Sequence, residues 1–271
     1  MSIGNNYPRF SFGDRITEEQ AAFFHTHGFL HFTGFIDAAR VRELIEASQQ
    51  VERQWVEQKV EKVYGVPIKY GKDLDGRPIV QRFAFANLHS PVLGGFLDDQ
   101  RFRTLLPLIG TRDARIGRDE KDGMVINHYV RGPDSAYSRL GWHTDGLRDI
   151  FLGSRLNPLL NVGVHLSTLG PEHGGLRIIP GTHHQSLWQM LFRKRYFLDH
   201  DDDPAQLAII PAAGDLTVHD GRLWHRVAQS QVTGEASRRR VIYVPLISGK
   251  YAPKDDHSPT PIYQRFAGMV K

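Results

Sequence analysis

From about Gly123 onward the chain is built from short aliphatic and β-branched runs, and this constrains its fold more than any other feature. The runs are Met124-Val125-Ile126, Leu159 to Val164, Leu176-Arg177-Ile178-Ile179, Leu216-Thr217-Val218 and Val241 to Val244. Arg131-Gly132-Pro133, Gly174-Gly175, Pro180-Gly181 and Asp220-Gly221 break them. Runs of this length, punctuated by Gly, Pro and Asp, belong to an all-β sandwich or barrel. One stretch interrupts the pattern, between Pro180 and Pro211. There Leu187, Trp188, Leu191 and Phe192 precede a basic Arg193-Lys194-Arg195 and an acidic run from Asp199 to Asp203, which predicts an inserted helix and loop.

The N-terminal quarter reads differently. Thr17 stands three residues before Gln20, ahead of Ala21 to Phe24, and this is a capping-box start for a helix that should end at His27-Gly28. Phe29 to Phe32 then predict a short strand. Asp37 predicts the cap of a second helix through Val41, Leu44, Ile45, Val51 and Trp55, whose spacing approximates one apolar face.

Composition narrows the chemistry. The 271 residues include no cysteine, which removes disulfide frameworks, iron–sulfur clusters, thiolate zinc sites and cysteine nucleophiles together. Histidine and carboxylates must carry any metal. The net charge of +4 is modest and spread along the chain, which argues for anionic small ligands and against a dedicated nucleic-acid binder. No apolar stretch is long enough for a membrane span, and Met1 to Phe12 lacks the apolar core of a secretion signal, so a cytoplasmic protein is expected.

The sharpest local feature is Trp142-His143-Thr144-Asp145-Gly146. On an extended strand residues i and i+2 point the same way, so His143 and Asp145 can offer a nitrogen and a carboxylate oxygen to one ion. Two imidazoles, one carboxylate and open positions make the facial triad of non-haem Fe(II) oxygen chemistry, which requires a further histidine. His165, His173, His183, His184, His200, His219 and His225 are all available downstream. His225 has the best context: a strand from Gly214, the Asp220-Gly221 turn and a returning strand would bring it to the barrel mouth. Beyond it, Arg239 or Arg240 could aim a guanidinium at a carboxylate, and strand alternation alone does not say which faces inward.

Taken together these stretches resemble the phytanoyl-CoA hydroxylase family of Fe(II)/2-oxoglutarate-dependent dioxygenases. The resemblance runs in order through Thr17 to Gln20, His27-Gly28-Phe29, Gly34 to Asp37, Trp142 to Gly146, Gly174 to His183, and Gly214 through His225 to Arg239-Arg240-Val241. It implies one dioxygenase domain over residues 1–271, mainly β with flanking helices. Residues 15–60 form its helical N-terminal part, and residues 123–247 form a double-stranded β-helix, the cupin-like jelly roll, with an insertion at 182–211. It implies His143, Asp145 and His225 as metal ligands and catalytic centre, and Arg239 as the 2-oxoglutarate anchor with Arg240 its rival. Asn127 is implied as a cosubstrate contact.

The implied reaction uses Fe(II), 2-oxoglutarate and O2, hydroxylates an unactivated carbon and releases succinate and CO2. Desaturation, cyclisation and halogenation are other outcomes on this fold. A halogenase lacks the carboxylate ligand, whereas Asp145 is present; a nucleic-acid demethylase usually has a second arginine six positions after the anchor, where this chain has Pro245. A non-catalytic jelly roll that binds a metal or ligand is the rival of another class.

Gly163 stands where family members often have a large aromatic residue lining the cosubstrate pocket, with His165 on the same face, and an enlarged wall is expected. Arg131, Arg139, Arg148 and Arg177 flank the predicted mouth and point to a small or medium-sized anionic substrate. His183 and His184 read as turn residues, His219 as a core residue or one bracing a ligand, and His25, His27 and His31 as a cluster without a carboxylate partner. The Leu187 to Tyr196 segment fits equally a lid and a solvated or dimer-forming helix.

Overall fold

A computed structural model of the chain describes residues 7–133, 135, 138–145 and 157–260. The larger of its two facing sheets orders Phe10–Ser11 (β1), Phe29–Thr33 (β2), Leu216–Asp220 (β13), Leu159–His165 (β10), Gly234–Ile247 (β15), Val125–Arg131 (β8), Pro78–Phe83 (β6) and Lys69–Lys72 (β5). Arg115–Ile116 (β7) also pairs with β15. The smaller sheet orders Leu207–Ala208 (β12), Gly175–Ile178 (β11), His225–Ala228 (β14) and Leu140–His143 (β9). Lys62–Val63 (β3) and Val66–Pro67 (β4) make a separate hairpin. The two sheets face one another as a jelly roll, and β2, β5 and β6 extend the larger one beyond residues 123–247.

Both predicted N-terminal helices form. Thr17 and Gln20 close a reciprocal capping box on α1 (Glu18–His27), and Gly28 ends it at a left-handed φ of 79° that glycine adopts at no steric cost. Asp37 caps α2 (Ala38–Gln58) by accepting from Arg40 N–H. The buried face of α2, with Val41, Leu44, Val51 and Trp55, packs with α3 (Pro91–Leu97) in one large core against the larger sheet.

That packing decides which way the long strands face. Leu160, Val162 and Val164 of β10, Leu216 and Val218 of β13, and Ile242, Val244 and Leu246 of β15 all belong to the helix-side core. By period-two alternation, Asn161, Gly163 and His165, Thr217 and His219, and Arg239, Val241 and Tyr243 line the space between the sheets. Among the described residues no helix is long and apolar enough to cross a membrane.

Candidate metal centre and cosubstrate pocket

The antiparallel β9–β14 ladder makes His143 and His225 direct Cα partners and sets their rings 4.1 Å apart, centroid to centroid. Asp145 follows His143, and its N–H donates to Gly221 O at 2.8 Å, which ties it to the Asp-Gly turn that leads into β14. One ligand atom from each of His143, Asp145 and His225 lies within 4.8 Å of the others. Asp145 Oδ2 is 3.5 Å from His225 Nε2.

The tautomers follow from the partners. His143 Nδ1 lies 2.8 Å from Gly141 O, and His225 Nδ1 lies 2.9 Å from Leu223 O. A carbonyl can only accept, so both Nδ1 atoms carry the proton and Nε2 is the nitrogen of each ring with the lone pair that a metal would take. Two neutral imidazoles and one carboxylate suit Fe(II) and leave positions open on an octahedral ion, so the donor set fits the iron of the facial triad. Beside it, Asn161 Nδ2 donates to Asp145 Oδ2 and to His219 Nε2, the latter at 3.0 Å. Burial, and next the neighbouring His225, push His219 well below the usual histidine range.

Arg239 faces the space between the sheets, and Arg240 does not. The Arg239 guanidinium lies 5.1 Å from the Tyr129 ring centroid and donates from Nη1 to Ala228 O and from Nη2 to Ser138 O, each at 3.0 Å. Its Nε is buried with no acceptor among the described residues, as expected of a group that a bound carboxylate would satisfy. Burial lowers the guanidinium to about 10, so it stays cationic at neutral pH. Arg240, the Cα partner of His128, instead donates to Glu235 on the outside at 2.8 Å. Asn127, opposite Val241 on β8, shares the inner face with Arg239; its Nδ2 donates to Tyr129 Oη at 3.3 Å and its buried Oδ1 has no partner among the described residues.

The insertion contributes a wall beside His143, through Tyr196 and Phe197. It holds α4 (Leu187–Phe192), on which Trp188 and Phe192 are each 73% exposed. It then runs back along β9: Phe197 N–H donates to Trp142 O at 2.9 Å, Trp142 N–H to Asp199 O at 2.8 Å and Trp142 Nε1–H to Asp201 O at 2.8 Å. Thr144 N–H donates to Tyr196 Oη at 3.2 Å. Basic and acidic runs are visible in sequence, but a strap that adds itself to a strand edge carries no period of its own.

Several expectations need correction. His31 does have a carboxylate partner, since its Nε2 is 2.9 Å from Asp215 Oδ2 while its Nδ1 is 2.9 Å from Tyr7 Oη. Gly163 does not open a wall: a Cβ there would meet Thr217 Oγ1 at 3.2 Å and both Tyr243 and Val241 at 3.3 Å, because the neighbouring strand's tyrosine leans into the space. His165 is bonded to Thr217 Oγ1 at 2.9 Å, and burial pushes it to about 3. Arg131 donates to the carbonyls of Ser230 and Gln231 at 2.8 and 2.9 Å, which closes a turn and does not open toward the mouth. Arg177 pairs with Arg226 across β11 and β14, on the side opposite to His225. Arg139 is exposed, and Arg148 lies outside the described residues. His183 and His184 are turn residues as expected: both donate from Nε2 to His25 O, at 2.9 and 2.6 Å, and pin the Pro180-Gly181 turn to α1.

A jelly roll with this donor set between its sheets defines a non-haem iron, 2-oxoglutarate-dependent dioxygenase. The family described as phytanoyl-CoA dioxygenase (PhyH) matches residues 24–239, and the chain belongs to it. Three solved structures are similar in fold. The alpha ketoglutarate dependent carbocyclase SnoK from nogalamycin biosynthesis is 16% identical with a TM-score of 0.63, covering 97% of this chain and 94% of its own. The epimerase SnoN, in complex with Fe3+, alpha ketoglutarate and nogalamycin RO, is 19% identical with a TM-score of 0.59, covering 91% and 87%. EctD from S. alaskensis, with 2-oxoglutarate and 5-hydroxyectoine, is 17% identical with a TM-score of 0.63, covering 93% and 84%. No curated protein matches the chain.

Proposed function

We propose that the protein hydroxylates an unactivated carbon of a small or medium-sized substrate, with His143, Asp145 and His225 holding Fe(II) and Arg239 holding the distal carboxylate of 2-oxoglutarate. The convergence of the three ligand atoms within 4.8 Å carries this reading. Bound iron, with 2-oxoglutarate and O2, supplies the oxidising power, and succinate and CO2 are the co-products.

The chain's own part is orientation and exclusion of water. His143 and His225 present Nε2 because their Nδ1 protons are engaged by Gly141 and Leu223. Arg239 is a fixed cation on the inner face, and Asn127 stands beside it as a polar contact for the same molecule. Tyr196 and Phe197 cover His143 from the side of the insertion. Retention of Asp145 favours hydroxylation over halogenation. An acid group on the substrate would find Arg139, since Arg131 and Arg177 are engaged elsewhere.

The test is succinate release from 2-oxoglutarate in the presence of Fe(II) and a panel of small acids, amino acids and thioesters. Substrate-dependent succinate with a mass gain of one oxygen is the expected result, lost in Asp145→Ala. Stoichiometric iron binding without succinate for any substrate would assign a non-catalytic jelly roll instead.

A further inference from the structure

We infer that Asn161, itself oriented by His219, is the positioning residue that sets the rotation of the Asp145 carboxylate. The inference rests on the metal-centre reading above.

Asn161 interrupts an otherwise aliphatic run on β10, where Leu160 and Val162 turn to the helix-side core and Asn161 turns inward. Its Cα partner on β13 is His219, so the two side chains rise from directly opposed positions on the same face. The amide nitrogen touches two acceptors at once, Asp145 Oδ2 and His219 Nε2. The Asp145 contact settles the orientation of the amide: turned over, its oxygen would face a carboxylate oxygen with no hydrogen in the gap, and with the nitrogen so placed His219 Nε2 is the acceptor of the second hydrogen. An NH2 group has two hydrogens, and here each has its own acceptor.

The two imidazole ligands are keyed by carbonyls two residues upstream of each, at Gly141 and Leu223. Asn161 does the corresponding work for the carboxylate from across the molecule, on the larger sheet. His219 is needed because a lone contact to Asp145 leaves the amide free to swing about its terminal torsion; the imidazole Nε2, in a residue only 2% exposed, takes the second hydrogen and stops that rotation.

The experiment uses Co(II) as a spectroscopic stand-in for Fe(II), with affinity from calorimetric titration and coordination from the visible absorption bands. Partners behind metal ligands commonly contribute about 10- to 100-fold in affinity. Asn161→Ala should weaken Co(II) binding in that range and shift the bands. His219→Leu should act in the same direction by a smaller factor. His219→Gln, whose amide oxygen can take the same N–H, should restore most of the loss. The double variant Asn161→Ala/His219→Leu should bind no more weakly than Asn161→Ala alone, since both act through one bond to Asp145.

Melting of the metal-free proteins shows which variants are folded; if Asn161→Ala melts early, Asn161→Thr replaces it, with only one hydrogen to give, and must weaken Co(II) binding too. Wild-type affinity and bands in the folded Asn161 variant, with binding lost in Asp145→Ala, would overturn the positioning role and leave the metal centre standing. Wild-type affinity in Asp145→Ala would overturn the metal centre itself.

Discussion

Phe197 lies nearly parallel to His143, with 24° between the ring planes and 4.7 Å between centroids. It does so from a left-handed backbone, φ 61°, which a bulky residue adopts only where its surroundings hold it there. The hydrogen bond from its N–H to Trp142 O supplies part of that hold. The insertion is thus part of the wall over the metal centre. Phe197→Ala removes an aromatic contact of about 0.5–1.5 kcal/mol, so metal affinity should fall by roughly twofold to tenfold in a calorimetric titration. An unchanged affinity would mean that the stack secures the strap and leaves the ligand unaffected.

Arg239 and Arg240 are adjacent in sequence and face opposite ways, and kinetics should separate them. Losing a charge-assisted bond of about 1.5–3 kcal/mol, Arg239→Ala should raise the KM for 2-oxoglutarate by roughly tenfold to a hundredfold. Arg240→Ala should leave it unchanged, because that side chain pairs with Glu235 on the outside. The reverse pattern would move the anchor to Arg240.

Acid should loosen the fold before it protonates most carboxylates. Burial holds His165 at about 3 and His128 well below the ordinary 6.5. Below 6.5 the unfolded chain takes up protons at these positions and the folded chain does not, so stability falls as pH drops from 6.5 toward 3. Each such histidine contributes about 1.4 kcal/mol per pH unit to that slope. In urea titrations between pH 6 and 4, His165→Phe should therefore show a slope shallower than wild type by about this amount, and equal slopes would refute the assignment.

Gly141 is the place where strand and strap touch most closely, since a Cβ there would collide with the carbonyl oxygens of Phe197 and Asp199. Gly141→Ala should cost about 1–3 kcal/mol by overpacking. Limited proteolysis should then cut between Arg193 and Lys194 or Arg195 faster than in wild type. A variant cleaved at the wild-type rate would show that the strap does not depend on this contact.

The capping box at Thr17, the Asp37 cap, the β runs and the His143/Asp145/His225 set were legible because each obeys a short-range rule of period or spacing. The inward face of β15 was not, for a physical reason: the larger sheet packs on both sides, against α2 and against the smaller sheet, so Val241 and Ile242 are equally apolar and alternation lacks a sign. Gly163 misled for a related reason, because the Tyr243 ring that fills its place comes from another strand. His31 was read without its acid because Asp215 comes from the neighbouring strand's approach, far away in sequence. Asn161 carried a faint signal, a lone amide in an aliphatic run.

Each metal-facing imidazole takes its tautomer from the carbonyl two residues upstream, Gly141 in the same strand for His143 and Leu223 in the turn before β14 for His225. The instruction for which nitrogen meets the metal therefore travels inside a tripeptide. The strap and the loops outside these two tripeptides can be reshaped for a different substrate without changing which nitrogen faces the metal, even where, as at Phe197, they lean on the ring that carries it.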